Sequence, residues 1–195
     1  MDIKQQVLAL EQNGIVLSSE VTKAGIHRSV ISSLVDDGTL VKCSRGVYML
    51  ADEFEDEYFL LQKKYQRGIF SHATALYLHG YSDRVPMRFH MTFPAGYNNT
   101  SFEHENIEIT RVGKANYDLG ISTINTPYGN EVAVYDIERC LCDILRGRGD
   151  DIQIIHSSFR KYVASKDKDI NKLIAYAKQL RVEPKVRTII EVLIE

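Results

Sequence analysis

Glycines at 14, 25, 38 and 46 cut the first fifty residues into short apolar segments. That punctuation leaves room only for short helices and a tight hairpin. Ile3, Val7, Leu8 and Leu10 recur at near-helical spacing and run into Asn13-Gly14, a helix followed by a stop. Ser18 or Ser19 is placed to cap a second short helix through about Ala24, and Gly25 supplies a turn. Ile26, Val30, Ile31, Leu34 and Val35 form a third apolar stripe that Gly38 ends. Helix, helix, glycine turn, helix is the helix-turn-helix order. Leu40–Cys43 and Val47–Leu50 then read as two short strands around the turn Ser44-Arg45-Gly46. A hairpin directly after the third helix is a wing.

The face opposite the third stripe carries His27, Arg28, Ser29, Ser32 and Ser33. Recognition helices present their N-terminal end to the major groove, where a guanidinium can read guanine and small hydroxyls allow close approach. Lys23 on the second helix, with Lys42 and Arg45 on the wing, suits phosphate contacts. These eight residues are the candidate DNA-binding set. The plainer alternatives are a solvated polar face, or a winged module that binds protein. Asp36 and Asp37 oppose DNA binding at the helix C-terminus, and we read them as end-capping or solvated.

Charge is uneven along the chain. The formal net charge is −2, but residues 1–50 sum to 0, residues 51–145 to −6 and residues 146–195 to +4. A DNA-binding protein needs a local positive surface, not a basic composition. A possible second basic surface follows from Arg146, Arg148, Arg160, Lys161, Lys168, Lys172, Lys178 and Arg181, with Lys166, Lys185 and Arg187 nearby. It would extend the DNA contact, or it is a set of solvated helix faces.

The remaining chain reads as a mixed domain. The acidic run Asp52–Glu57 suits a helix start; Tyr58, Leu61 and Tyr65 share a face, and Gly68 ends the helix. Ile69-Phe70 is a short strand, and Ser71 can cap a helix from His72 to His79. Met87, Phe89, Met91 and Phe93 alternate as a half-buried strand, Ile107 to Val112 gives another, and residues 121–126 and 131–135 form a hairpin. Asp136 can cap a helix through Arg146 with Gly147 past its end, and helices at about 151–164, 169–180 and 184–194 follow. The fold class expected is α+β: an N-terminal winged helix-turn-helix (residues 1–51), a connecting helix (52–68), and a mixed α/β C-terminal domain (69–195) with central strands and helices after them.

Chemistry is sparse. There is no phosphate-binding glycine loop, no nucleophile-elbow motif and no paired-histidine metal motif, so we expect no catalytic residues, no metal and no cofactor. Cys43, Cys140 and Cys142 form no CxxC and read as reduced, structural thiols. Arg139 and Asp143 read as an intrahelical ion pair, worth about 0.3–0.5 kcal/mol if exposed. No long apolar run and no signal-like N-terminus is present, so a cytoplasmic location away from the membrane is expected.

Three segments in order carry a resemblance: Phe70-Ser71-His72-Ala73-Thr74-Ala75-Leu76-Tyr77-Leu78-His79-Gly80, the alternating strand after Pro86, and Asp136-Ile137-Glu138-Arg139-Cys140-Leu141-Cys142-Asp143-Ile144-Leu145-Arg146. With the winged helix before them, the chain resembles the AbiEi antitoxin family of bacterial abortive-infection, phage-defence systems. The resemblance implies a non-enzymatic antitoxin and transcriptional autorepressor that binds inverted repeats in operator DNA, cooperatively and with bending. It implies a partner gene for a nucleotidyltransferase-like toxin, counteracted through the C-terminal domain without need of direct binding. Within the quoted motifs, Ser71, His72, Leu76, Glu138, Arg139 and Asp143 read as structural. Two other readings stay open: an antitoxin that masks its toxin directly, and a winged domain fused to a nuclease-like enzyme.

Overall fold

A computed structural model describes residues 2–53, 55–98, 102, 106–146 and 151–194. Phe54 of the acidic run, the helix stop Gly147 and the candidate Arg148 lie outside the described residues. The chain divides into two compact units: Met1–Gln66 with the turn Pro127–Asn130, and Arg67–Thr126 with Glu131–Glu195. The class is mixed helix and sheet, an N-terminal winged helix-turn-helix followed by a sheet-containing domain.

In the first unit, α1 (Ile3–Leu8) begins at Asp2, whose carboxylate accepts from the Ile3 N–H at 2.7 Å while Gln5 reaches back in a capping box. Asn13 (φ 52°) and Gly14 (φ 78°) are both left-handed and reverse the chain. The reversal creates a strand that the periodicity did not announce, β1 (Ile15–Leu17). The helices α2 (Ser18–Lys23) and α3 (Ser29–Asp36) follow, then β2 (Leu40–Ser44) and β3 (Val47–Leu50). The sheet order is β1-β3-β2, antiparallel throughout. Val7, Val16, Val21, Ile26, Ile31, Leu34 and Leu40 form one core. Helices of six to eight residues are marginal alone, so this shared core is what holds them. Ser18 does not cap α2; it is the first residue of the helix, Leu17 holds the cap position without a side-chain bond, and the Ser18 N–H donates to the Gly46 carbonyl of the wing at 2.9 Å. The helix α4 (Glu57–Lys64) starts where the Asp56 carboxylate accepts from the Phe59 N–H, and it buries Tyr58, Phe59 and Leu61.

The second unit is built on a five-stranded sheet: β4 (Ile69–Phe70), β5 (Phe89–Pro94), β6 (Ile107–Val112), β7 (Ile121–Asn125) and β8 (Glu131–Tyr135). The order is β6-β5-β4-β8-β7, with β4–β8 and β5–β6 parallel and the other two pairs antiparallel. The helices are α5 (His72–Leu78), α6 (Lys114–Tyr117), α7 (Ile137–Asp143), α8 (Ile152–Ala164), α9 (Ile170–Gln179) and α10 (Glu183–Ile194). Phe70, Leu76, Met91, Phe93, Val134, Leu141, Phe159, Leu173 and Val186 lie in its interior.

Two local expectations change. Met87 is 92% exposed and outside the strand, which begins only at Phe89; the Asn106 side chain takes the Met87 carbonyl at 2.7 Å in a loop instead. Ser71 precedes α5 but makes no cap bond. Its buried hydroxyl accepts from Thr92 Oγ1 of β5 at 2.9 Å, binding the helix start to the sheet.

Candidate nucleic-acid interface

The turn between α2 and α3 fixes the presentation of α3. Gly25 is left-handed (φ 79°), and the Ile26 N–H returns to the Val21 carbonyl, so buried Ile26 anchors the turn. The helix then starts two residues later than the polar pattern suggests. His27 and Arg28 precede α3 rather than lying on it, and their carbonyls accept its first main-chain bonds. His27 Nδ1 accepts from the Ser29 N–H at 3.3 Å and lies 2.9 Å from Ser29 Oγ, acting as a capping side chain. Arg28 is exposed, with Nε 3.5 Å from Thr22 Oγ1 on α2. Ser29 and Ser32 are exposed and Ser33 is half-buried, at i, i+3 and i+4 on one side of α3.

The remaining candidates lie on α2 and on the wing hairpin. Lys23 ends α2, exposed, in an ion pair with Glu20 at 2.9 Å. Lys42 and Arg45 are exposed on the wing hairpin, whose register shifts between Lys42 and Ser44. Gly46, left-handed at φ 81°, closes the wing, and its carbonyl holds the Ser18 N–H at the start of α2. The tie from wing to α2 was invisible in the sequence, since nothing in the pattern of Ser18 or Gly46 pairs them. Asp37 is bound by Lys4 Nζ at 2.6 Å and by Thr39, which together hold its carboxyl down at about 2. Asp36 stays exposed, one turn beyond Ser32.

Residues 5–51 match the model of a family described as transcriptional regulator, AbiEi antitoxin. Over this segment the chain is similar to regulators of that family. A comparison with curated proteins gave no match. Among solved structures, the crystal structure of the RV2827C protein from Mycobacterium tuberculosis is similar, with a TM-score of 0.63 and 18% identity over 89% of this chain and 70% of that one. At that identity the likeness concerns the fold, and it extends well beyond residues 5–51.

In the second unit the candidate basic residues divide by what they touch. Lys172 Nζ lies 3.0 Å from Asp136 Oδ2 and 3.1 Å from Glu138 Oε2. Burial alone would lower its ammonium, but hydrogen bonds to these two carboxylates outweigh burial and raise it. Arg146 reaches Asp143 at 3.5 Å, Lys185 donates to the Leu145 carbonyl, Arg187 pairs with Glu183, and Lys168 donates to the Ser165 carbonyl. Arg160, Lys161, Lys178 and Arg181 are exposed with no ion pair among the described residues.

Arg139 and Asp143 form the intrahelical ion pair that their spacing suggests, and the pair is buried. Their side chains are 0% and 1% exposed, with Nε to Oδ2 at 2.9 Å. Arg139 Nη1 also donates to the Asn116 and Leu119 carbonyls, and the guanidinium lies over the Tyr135 ring at 4.2 Å. Glu138, Lys172, Asp136, Tyr162 and Tyr176 continue the network. Burial pushes the Cys142 thiol up to about 12, and Cys140 is raised well above its ordinary value for the same reason, so both are inert packing groups. His79 Nε2 meets the Tyr135 carbonyl at 2.8 Å, a packing role. Among the described residues no cluster could hold a metal ion, and no helix is long and apolar enough to cross a membrane.

Proposed function

We propose that this chain is an antitoxin and transcriptional autorepressor of a bacterial abortive-infection, phage-defence toxin–antitoxin operon. Residues 1–51 bind operator duplex DNA, with the start of α3 in the major groove and the wing against the backbone. Residues 52–68 connect, and residues 69–195 counteract a nucleotidyltransferase-like toxin in the cytoplasm. The observation that carries this reading is that the regulator match at residues 5–51 coincides with the segment that leaves Arg28, Ser29, Ser32, Lys42 and Arg45 exposed. Base edges are read by such side chains, and phosphates fix the register.

Arg160, Lys161, Lys178 and Arg181 of the second unit extend the phosphate contact. A small DNA-binding module buries only about 600–1,000 Å² on DNA, and a second patch adds affinity and stabilises a bend. The test is footprinting of the full chain on the DNA upstream of its own gene. The expected result is a protected site of inverted repeats that competitor DNA of scrambled sequence does not displace. Equal affinity for scrambled DNA at every salt concentration overturns the repressor reading.

A further inference from the structure

Thr22 is not among the eight candidate DNA contacts, yet it touches one of them. It lies exposed on α2, next to Lys23. Its Oγ1 donates to the Ser18 carbonyl at 2.8 Å. A hydroxyl has one proton and two lone pairs, so toward any other neighbour Thr22 Oγ1 can only accept. That neighbour is Arg28 Nε, 3.5 Å away across the left-handed turn at Gly25. A guanidinium nitrogen can only donate. Donor and acceptor are thus fixed at both ends, with no free hydroxyl rotor between them.

The bond decides which edge of Arg28 stays open. A guanidinium presents its N–H groups in a rigid planar fork. With the Nε–H turned to Thr22, the N–H groups of Nη1 and Nη2 remain, and among the described residues no ion pair takes them. An arginine reads guanine by giving two N–H groups to O6 and N7 in the major groove. It does so side-on, through Nε and one Nη, or end-on, through both Nη. Thr22 occupies the Nε edge and leaves the end-on fork. A side chain already oriented also loses less freedom when it binds.

We infer from this arrangement that Thr22 is a positioning residue for base reading, holding Arg28 for an end-on contact with guanine. The inference deepens the operator reading and rests on it. Ser18 ties the device to the wing. Its N–H donates to the Gly46 carbonyl at 2.9 Å, and its carbonyl holds the Thr22 hydroxyl. The wing and the reading guanidinium are therefore both referred to Ser18, which sets the phosphate contacts of one and the base contact of the other in a single frame. The bond from Arg28 is long and exposed, so its effect is on orientation and is small. It changes the ratio of affinities for guanine and for another base, and leaves the affinity for duplex DNA at large as it is.

The test compares full-length wild type, Thr22→Val and Thr22→Ser on the operator and on the operator with the guanine read by Arg28 changed to adenine. That guanine is the one whose change no longer matters to Arg28→Ala. Thr22→Val keeps the shape of an exposed side chain and removes the acceptor, so thermal unfolding should match the wild type. Its preference for guanine should fall about three-fold, the low end of what one hydrogen bond contributes. Thr22→Ser should restore the preference, and binding to scrambled DNA should be equal in all three. In an Arg28→Ala background Thr22→Val should change nothing further. A Thr22→Val protein that keeps the wild-type preference overturns the inference. So does one that loses affinity for scrambled DNA as well, or that acts undiminished without Arg28, since Thr22 would then touch DNA itself. A second measurement needs no DNA: nitrogen-15 relaxation of the Arg28 Nε–H should show more motion in Thr22→Val than in the wild type or Thr22→Ser. Equal motion in the three overturns the positioning role whatever footprinting shows, and failed footprinting with unequal motion overturns the operator reading alone.

Discussion

The polar helix faces of the two units look alike in sequence and do opposite things. Around α3, Arg28, Ser29, Ser32, Lys42 and Arg45 are exposed and mostly free of strong internal partners. Around α7, Arg139, Asp143 and Glu138 are buried, and each is bound within a network. A charge already matched inside the fold has little left to offer a ligand, whereas an exposed, unmatched one is ready for an outside partner. Around α7 internal charge therefore ties the fold together, whereas around α3 the charge is left open to a ligand.

The largest expected effect breaks the buried side of that contrast. Arg139→Ala strands the Asp143 carboxylate in the interior, and removing one partner of a buried pair costs about 3–5 kcal/mol. Urea unfolding followed through the tyrosines should show the second unit losing its cooperative transition or shifting it far down. Joint replacement by Arg139→Met and Asp143→Leu should recover part of the loss, since an apolar pair strands no charge. If Arg139→Ala unfolds like the wild type, the network is ornamental and the contrast fails.

How much of this was legible beforehand follows the range of each interaction. The helix-turn-helix and the wing rest on glycines and apolar spacing, which are local signals, and α2, α3, β2 and β3 stand close to where those signals put them. Most helices of the second unit were readable for the same reason, with Asp136 capping α7 through the Arg139 N–H as its position suggested. What could not be read depends on partners far away in sequence. β1 exists because it pairs with β3, and Ser71 leaves its capping role because Thr92, twenty-one residues on, reaches it. Met87 follows the alternation of its neighbours yet points to solvent, because the strand starts only after Arg88. Arg139 and Asp143 show the limit most plainly: i,i+4 spacing gives the pair, but only the Asn116 and Leu119 carbonyls and the Tyr135 ring make it a buried one. At the candidate interface, the residue identities came from the sequence, while the cap made by His27 and the bond from Ser18 to Gly46 came from the structure.

The next predictions sharpen the exposed side. Arg28→Ala should weaken operator binding by about 1–3 kcal/mol and relax the preference at one or two base pairs, read by competition with substituted operators. The fold should be unaffected, because the Arg28 side chain makes, among the described residues, only the long contact to Thr22 Oγ1. An unchanged preference would remove the start of α3 from base reading.

Gly46→Ala addresses the wing as a shaped object. A side chain at φ 81° is strained, and its Cβ would stand 2.8 Å from Ser18 Oγ. The backbone strain alone costs about 1–2 kcal/mol. Thermal unfolding of the first unit should shift down. Adding Ser18→Ala should relieve the clash and leave the backbone strain, so only part of the shift returns; full recovery would mean the left-handed turn carries no cost.

Lys42→Ala and Arg45→Ala should weaken binding to every sequence alike. Removing one phosphate-binding cation should flatten the dependence of log affinity on log salt by about one unit. Slopes that match the wild type in both variants would take the wing off the DNA.

The smallest effect concerns an exposed charge at the end of α3 that is already matched. Asp37 at the end of that helix is held at about 2, against an ordinary value of 3.8, chiefly by the Lys4 hydrogen bond and then by those of Thr39. A carboxyl depressed in the folded state stabilises it above the ordinary value, and the contribution disappears as pH falls through about 2. Both side chains are well exposed, 39% for Lys4 and 40% for Asp37, so solvent screens the pair and the change is small. Lys4→Met removes the largest cause. Between about pH 4 and pH 2 the wild-type first unit should therefore lose slightly more stability than Lys4→Met does, measured by urea unfolding at each pH. Asp37 at the C-terminal end of α3 would then be matched within the fold, leaving Asp36 as the nearby negative charge still free to repel DNA. Parallel pH profiles for the two proteins would instead leave both carboxylates free, and the start of α3 would have to bind DNA against the repulsion of both.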